Sequence, residues 1–445
     1  MIIDFTIKNF RSIKDEQVFS LHVDHPKSHL AAHVAFPGNG KIGVLRSAGI
    51  YGANASGKSN ILLAIQALRY LTFVADLKDG DSIPCYEPYR LSDETKNAPI
   101  EFAIEFFIDG HRYSYAVSFN QFAILEETLD IFPSRQKANI FKRSSKDTWE
   151  TISFGASYKG GTKRIPFFAN STYLSRAGNN AGSADIIRAV YNYFGRAIAY
   201  VGSKDEIYRA DFLDDDELMR VAAKFLCHVD TGIVDVQKKS YQIEKDNEAL
   251  ADLPSKVRDL VIERSKRMFE FSHKTESGEH VYFTQMMESE GTQKLFSILP
   301  LLLKAFEHGH VLIMDELDNS FHPHIAELLI RLFNDPNINT NNAQLIFSTH
   351  NMHLMSSGNM RRDQIWFAQK NDGATSFYCL DDFDKSKLKS NSPFETWYDE
   401  GRFGALPNIN YRALSKLLRP DGKENGCSDF DKPNSADDDR VLANA

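Results

Sequence analysis

The chain has 445 residues, 42% of them apolar and 25% charged, the balance of a globular protein with enough length to bury a sizeable core in two or three domains. Its net charge of −8 argues against a uniformly basic nucleic-acid-binding surface, although it leaves room for a local basic groove. The four scattered cysteines form no C-x-x-C pair, no apolar run reaches membrane-spanning length, and the start lacks the basic and apolar regions of a signal peptide. Together these features predict a cytoplasmic chain without a disulfide framework, a zinc site or a membrane anchor.

Residues 2–10 alternate apolar and polar, which predicts a half-buried strand, and a second short strand follows near Val18. Residues 25–41 hold Pro26, Pro37, Gly38 and Gly40 and read as loop. Residues 44–51 form a strand that runs into a glycine-rich turn. Residues 59–76 then place Ile61, Leu62, Ile65 and Leu68 at helical spacing. Residues 100–154 change to period-two alternation, with Asp109-Gly110 as a hairpin turn, and predict an inserted antiparallel β-lobe. Residues 183–283 read as mainly helical. From residue 284 the α/β character returns: helix 289–308, strand 311–314, helix 323–333, strand 344–348, strand 363–369 and strand 376–380. The expected division is therefore 1–76 for the first half of the core and 77–182 for the β-lobe. A helical region at 183–283 and the second half of the core at 284–418 follow. The acidic tail, 419–445, has few large apolar residues and is expected to be disordered.

Residues 52–59 carry G-x-x-x-x-G-K-S between a strand and a helix, the pattern of a phosphate-binding loop. A triphosphate needs several backbone N–H groups pointing inward, and a glycine-rich turn lets the main chain wrap that closely. Gly52, Asn54, Ala55, Ser56, Gly57, Lys58, Ser59 and Asn60 are the candidate ATP-binding residues. Lys58 would reach the β- and γ-phosphates, and Ser59 would hold Mg²⁺. Far downstream, the apolar strand at 311–314 ends in Asp315-Glu316. Asp315 would hold Mg²⁺, and Glu316 would act as general base toward water.

Glu288-Ser289-Glu290-Gly291-Thr292-Gln293-Lys294 lies one helix before that strand and resembles the signature motif of ABC-type ATPases. There a serine and a glycine at a helix start grip the γ-phosphate bound by the opposite subunit. By the same resemblance Asp318 falls at the D-loop aspartate and His350, in Ser348-Thr349-His350, at the switch histidine. Lys58, Glu316 and His350 are the candidate catalytic set. No Q-loop glutamine can be placed, since neither Gln121 nor Gln136 has a convincing context.

Along most of its length the chain resembles the AAA/ABC-like ATPases of the abortive-infection type, the group that includes the RloA-like proteins. The marks are Ile7-Lys8-Asn9-Phe10-Arg11-Ser12, the phosphate loop and Val229-Asp230-Thr231-Gly232-Ile233. They continue through residues 288–295, 314–323, Asp363-Gln364-Ile365-Trp366-Phe367 and Gly401-Arg402-Phe403-Gly404-Ala405-Leu406-Pro407. Related folds occur in the SMC, RecF and OLD proteins. The resemblance implies an ABC-type core split in sequence, an ATP-dependent homo-oligomer, and a sensor role in bacterial phage defence. It also implies a separately encoded nuclease or toxin as effector and a phage-derived trigger. Two other functions remain open: a DNA repair or recombination ATPase of the RecF/SMC kind, for which DNA would be a partner, and a slow ATPase scaffold that sequesters a toxin. Asp381, Asp382 and Asp384 lie near a strand end, but no strand–glutamate arrangement precedes them as a nuclease would require. Residues 401–407 could contact a neighbouring subunit or cap the core.

Overall fold

The computed structural model describes residues 1–418, apart from 28, 39, 75–76, 204, 206–209, 230–231, 242–249, 251–252, 320 and 407–409. The expectation for the tail, 419–445, and the marks at 230–231, 320 and 407 therefore lie outside the described residues.

The first part of the chain holds β1 (Ile2–Lys8), β2 (Gln17–Ser20), β3 (His22–Val23), β4 (Val34–Ala35), β5 (Gly43–Leu45), β6 (Ser47–Tyr51) and helix α1 (Lys58–Arg69). Strands β7 (Ile100–Ile108), β8 (His111–Phe119), β9 (Ile124–Phe132), β10 (Ala138–Ser144) and β11 (Ser153–Phe154) follow, then α2 (Tyr173–Gly178) and α3 (Asp185–Asn192). The middle contains β12 (Ile198–Val201), α4 (Ala210–Leu213), α5 (Asp216–Cys227), β13 (Ile233–Lys239), α6 (Ser255–Ser265), β14 (Met268–Lys274) and β15 (His280–Thr284). The last part has α7 (Glu290–His308), β16 (Val311–Met314), α8 (Pro323–Asn334), β17 (Gln344–Ser348), β18 (Ile365–Asn371), β19 (Ala374–Cys379), α9 (Phe394–Asp399) and α10 (Tyr411–Leu418).

The central sheet has the order β12-β16-β17-β6-β18-β19, and its first five strands are parallel. Such a sheet must be covered on both faces, so its strands read as continuous apolar runs. Val311-Leu312-Ile313-Met314 shows how one run serves two cores. Val311 and Ile313 join the core shared with α1 and the antiparallel sheet, whereas Leu312 and Met314 join the core under α7 and α8. Together these elements form the α/β phosphate-loop architecture expected from the sequence. No helix among the described residues is long and apolar enough to cross a membrane.

Two features depart from the sequence expectation. β1 and β2 complete the antiparallel sheet, β11-β10-β9-β8-β7-β1-β2, so the β-lobe is built on the N-terminal strand rather than set apart from it. The described residues of 183–284 also hold four strands beside their helices. β12, Ile-Ala-Tyr-Val, lies in the core sheet beside β16. A four-residue apolar run next to a helix carries no period that separates strand from helix. β13, β14 and β15 form a small sheet on α7, where Phe269 and Phe271 pack edge-on against Phe296.

Candidate nucleotide-binding site

In an open parallel sheet, ligand sites lie beyond the carboxyl ends of the strands. Here β6, β16 and β17 deliver the phosphate loop, the acidic pair and the Ser-Thr-His run to that edge. β6 is wholly buried between β17 and β18. After it the chain turns through left-handed conformations at Gly52 (φ 148°), Ala55 (φ 60°) and Gly57 (φ 100°). A Cβ at Gly52 would lie 2.4 Å from the Ala368 carbonyl oxygen, and one at Gly57 would lie 2.3 Å from Thr375 Oγ1. Both glycines are therefore fixed by backbone shape and by crowding. Asn54 and Ala55 form the exposed crest of the loop. The Ser56 hydroxyl is buried and has no hydrogen-bond partner among the described residues, which suits a cradle shaped for an anion.

The outer wall of the loop is held by groups outside residues 52–59. Thr375 Oγ1 donates to the Ser56 carbonyl at 2.8 Å and lies 2.7 Å from Ser12 Oγ. Asn60 donates its amide to Ser12 Oγ at 2.5 Å. The Ala53 N–H donates to the Ala405 carbonyl at 3.0 Å, and Tyr398 OH donates to the same oxygen at 3.1 Å. Residues 401–406 thus brace the phosphate loop of their own chain.

Lys58 is buried and donates to the carbonyls of Gly52 at 2.8 Å and Ala53 at 3.0 Å, with His350 Nδ1 at 3.4 Å. Burial pulls its ammonium down to about 8, against the opposing pull of Glu316, Asp315 and Asp318. Burial, and next the Lys58 charge, also hold the His350 imidazole below its ordinary value, so it is neutral at neutral pH.

The acidic pair is tied to the loop. Ser59 Oγ donates to Asp315 Oδ1 at 2.9 Å. Ser348 Oγ donates to the same carboxylate oxygen and accepts the Glu316 N–H at 2.8 Å. The Asp315 N–H donates to the Val201 carbonyl at 2.9 Å, and the Leu317 N–H to the Ser348 carbonyl at 2.9 Å. These bonds hold Glu316 in a left-handed conformation, φ 53°, which costs a residue with a Cβ about 1–2 kcal/mol. Asp318 accepts from Thr349 Oγ1 at 2.5 Å and from the His350 N–H at 3.3 Å. A hydroxyl and a carboxylate facing one another are donors suited to a small hard dication. Ser59 and Asp315 would hold Mg²⁺, which would neutralise phosphate charge there.

One chain therefore brings together residues 52–59, Asp315, Glu316, Asp318 and His350. It does not bring Ser289 and Gly291 to them. Ser289 is exposed and caps α7 by accepting the Thr292 N–H at 3.2 Å. Among the described residues no hydrogen bond or ion pair joins residues 285–293 to residues 52–59. The link from α7 toward the acidic pair is Lys294, whose Nζ donates to the Asn319 carbonyl at 2.9 Å. Gln121 and Gln136 are exposed in turns of the antiparallel sheet. Asp381 pairs with Arg362 and Lys385, while Asp382 and Asp384 accept the N–H groups of Cys379 and Ser386, so these acids stabilise turns.

Solved structures similar to the chain include the SMC head domain from Thermotoga maritima, at 14% identity and a TM-score of 0.40, covering 85% of this chain and 98% of that one. An SmcHead bound to the C-winged helix domain of ScpA gives 13% identity and a TM-score of 0.44, covering 85% and 97%. The assignment of the fold rests on the strand order above. No curated protein matches the chain significantly. A family model described as "AAA domain, putative AbiEii toxin, Type IV TA system" matches residues 47–356, from the strand before the phosphate loop to just past His350. That match spans more than half of the sequence, and the chain belongs to this AAA-domain family.

Proposed function

We propose that the chain is an ABC-type ATPase that binds Mg²⁺·ATP in a pocket shared by two copies and hydrolyses it through Glu316. In this reading it is the sensor and regulatory ATPase of a bacterial anti-phage defence system, acting in the cytoplasm on a separately encoded nuclease or toxin. The observation that carries the ATPase reading is the hydrogen-bonded line Ser59–Asp315–Ser348–Glu316, which joins the phosphate loop to an acid held in a fixed, left-handed conformation. N–H groups of the loop and of the start of α1 bind the phosphates, apart from those of Ala53 and Ser56, which are tied to the carbonyls of Ala405 and Ala53, and Lys58 exchanges the carbonyls of Gly52 and Ala53 for phosphate oxygens. Glu316 accepts the proton of the attacking water. Neutral His350 donates to the γ-phosphate, and Asp318 ties its position to the segment after Glu316. Ser289 and Gly291 of the second copy close the pocket, so nucleotide binding becomes a change of assembly. The family's description, which names a Type IV TA system, supports a toxin–antitoxin context with a partner gene product.

Phage plating on cells carrying the chain with its gene neighbour tests the defence role. Protection that survives Lys58→Ala would contradict it, and DNA-stimulated turnover would favour the repair reading.

Two finer predictions arise here. Ser348→Ala leaves the Glu316 N–H without its acceptor and removes one of the two hydrogen bonds that Asp315 Oδ1 accepts, so turnover is expected to fall roughly 10- to 100-fold with ATP affinity little changed. Steady-state kinetics beside direct binding would check this, and an equal loss in both would refute the positioning role. Bound phosphate must raise the Lys58 value from about 8, because it favours the ammonium form. ATP affinity is then full below pH about 8, falls up to about tenfold per pH unit above it, and binding takes up a proton there. Calorimetry at pH about 8.5 in two buffers of different ionisation enthalpy reads that proton directly.

A further inference from the structure

The antiparallel sheet ends, at the edge opposite β1 and β2, in a basic and aromatic surface outside the nucleotide site. β11 is its outer strand, hydrogen-bonded on one side only, to β10. Residues 135–164, which run through β10 and β11, carry eight lysines and arginines against two acids, Asp147 and Glu150, in a chain whose net charge is −8. This is the local basic groove for which the overall charge leaves room. Arg143 is neutralised inside the sheet. It is buried, with Nη1 3.6 Å from Glu127 Oε2 and bonded to the Ser171 carbonyl at 2.6 Å. Lys142, Lys146, Lys159 and Arg164 are exposed.

Beside these cations lies a cavity of about 440 Å³, lined among others by Arg143, Lys146, Trp149, Glu150 and Phe167. That volume falls in the usual range for small-ligand pockets, about 300–1,000 Å³. The Arg143 guanidinium packs 4.1 Å from the centroid of the Phe167 ring and fixes it in the wall. Trp149 is 37% exposed, whereas Trp366 is buried and Trp397 half-buried. Phe122 and Phe168, 54% and 44% exposed, adjoin the lining residues Ala123 and Phe167. The Ile124 N–H donates to the Ala169 carbonyl at 2.8 Å, which brings those two segments together. Arg164 ties the cavity to the sheet edge. Its Nη1 donates to the Ile152 carbonyl at 3.1 Å, and its guanidinium lies 5.3 Å from the centroid of Phe154 on β11. Asp147 is held in its own turn, where it accepts the Ser144 N–H at 2.7 Å. Glu150 stays exposed and offers an acceptor to the amine of a base.

We propose that this edge binds single-stranded nucleic acid, with one base in the cavity against Trp149 and Phe167 and the flanking phosphates on Lys142, Lys146 and Arg164. Exposed aromatic rings and exposed cations are matched together by a ligand that presents flat apolar rings and repeating negative charge. A single strand presents both. An acidic protein segment would meet the lysines and leave the rings uncovered, and a duplex keeps the faces of its bases stacked away from Trp149. The proposal does not depend on the ATPase reading, because binding is measured without ATP.

The probes are a fluorescently labelled single-stranded oligodeoxyadenylate of about 12 nucleotides and its RNA counterpart, followed by anisotropy on the full chain. At least one should bind, more weakly as salt rises from about 50 to 200 mM. Trp149→Ala should weaken binding roughly 10-fold, the scale of one lost base stack, and leave the salt dependence as it was. Lys142→Glu with Lys146→Glu should weaken binding and flatten the salt dependence. All three side chains are exposed, so the melting temperature and ATP turnover should stay unchanged. Quenching of tryptophan fluorescence by the unlabelled strand reads the Trp149 contact without a substitution there. Failure of both strands to bind, absence of quenching, or wild-type affinity in Trp149→Ala overturns the proposal. So does competition by a duplex or by oligoglutamate as effective as that of the single strand.

Discussion

Replacing Glu316 with Gln is expected to slow ATP hydrolysis by about 10²- to 10⁴-fold while ATP stays bound. The change is isosteric. It keeps the N–H that donates to Ser348 Oγ and leaves Asp315 and Ser59 untouched, but it removes the only proton acceptor that Glu316 offers to water. Phosphate release measured beside nucleotide binding separates the two effects. Wild-type turnover in the variant would sink the general-base assignment. The acid would then be no more than part of the turn that its left-handed conformation builds.

Lys58→Ala is expected to abolish measurable turnover and to weaken ATP binding by roughly 100-fold, the scale of losing charge-assisted hydrogen bonds at about 1.5–3 kcal/mol each. Lys58 is the buried cation facing Asp315, Glu316 and Asp318. Without it the carbonyls of Gly52 and Ala53 lose their donor, and the phosphates would meet the acids with no compensating charge. Calorimetric titration with Mg²⁺·ATP checks the binding half and a coupled assay the turnover. Unchanged ATPase activity would refute the site altogether.

The groups most legible in the sequence were those whose chemistry fixes their spacing. A phosphate cradle demands Gly52 and Gly57 at set distances from Lys58 and Ser59, and the crowding at both glycines shows why no other residue serves. The acidic pair was readable because a fully buried strand cannot carry carboxylates except at its end. His350 followed from strand order. Supports were harder to read. Ser12, Thr375 and Ala405 brace the loop through one hydroxyl or one carbonyl each, and a carbonyl belongs to every residue. Ser348 carries a hydrogen bond to each member of the acidic pair, yet as a letter it is only the serine before Thr349-His350. Asn60, beside the motif, also bonds to Ser12, a contact that its place in the sequence does not disclose. β12 escaped notice for a similar reason, because what makes it a core strand is its neighbour β16, not its own four residues.

The central claim is that each pocket is completed by another copy, and a mixing experiment tests it most directly. A Lys58→Ala chain keeps an intact Ser289 and Gly291, while a Ser289→Arg chain keeps an intact phosphate loop. Each alone should be inactive. Mixed, they should recover about a quarter of the wild-type rate, the share of intact pockets under random pairing of two copies. Full activity of Ser289→Arg alone, or a mixture of folded chains that stays inactive, would contradict the shared pocket.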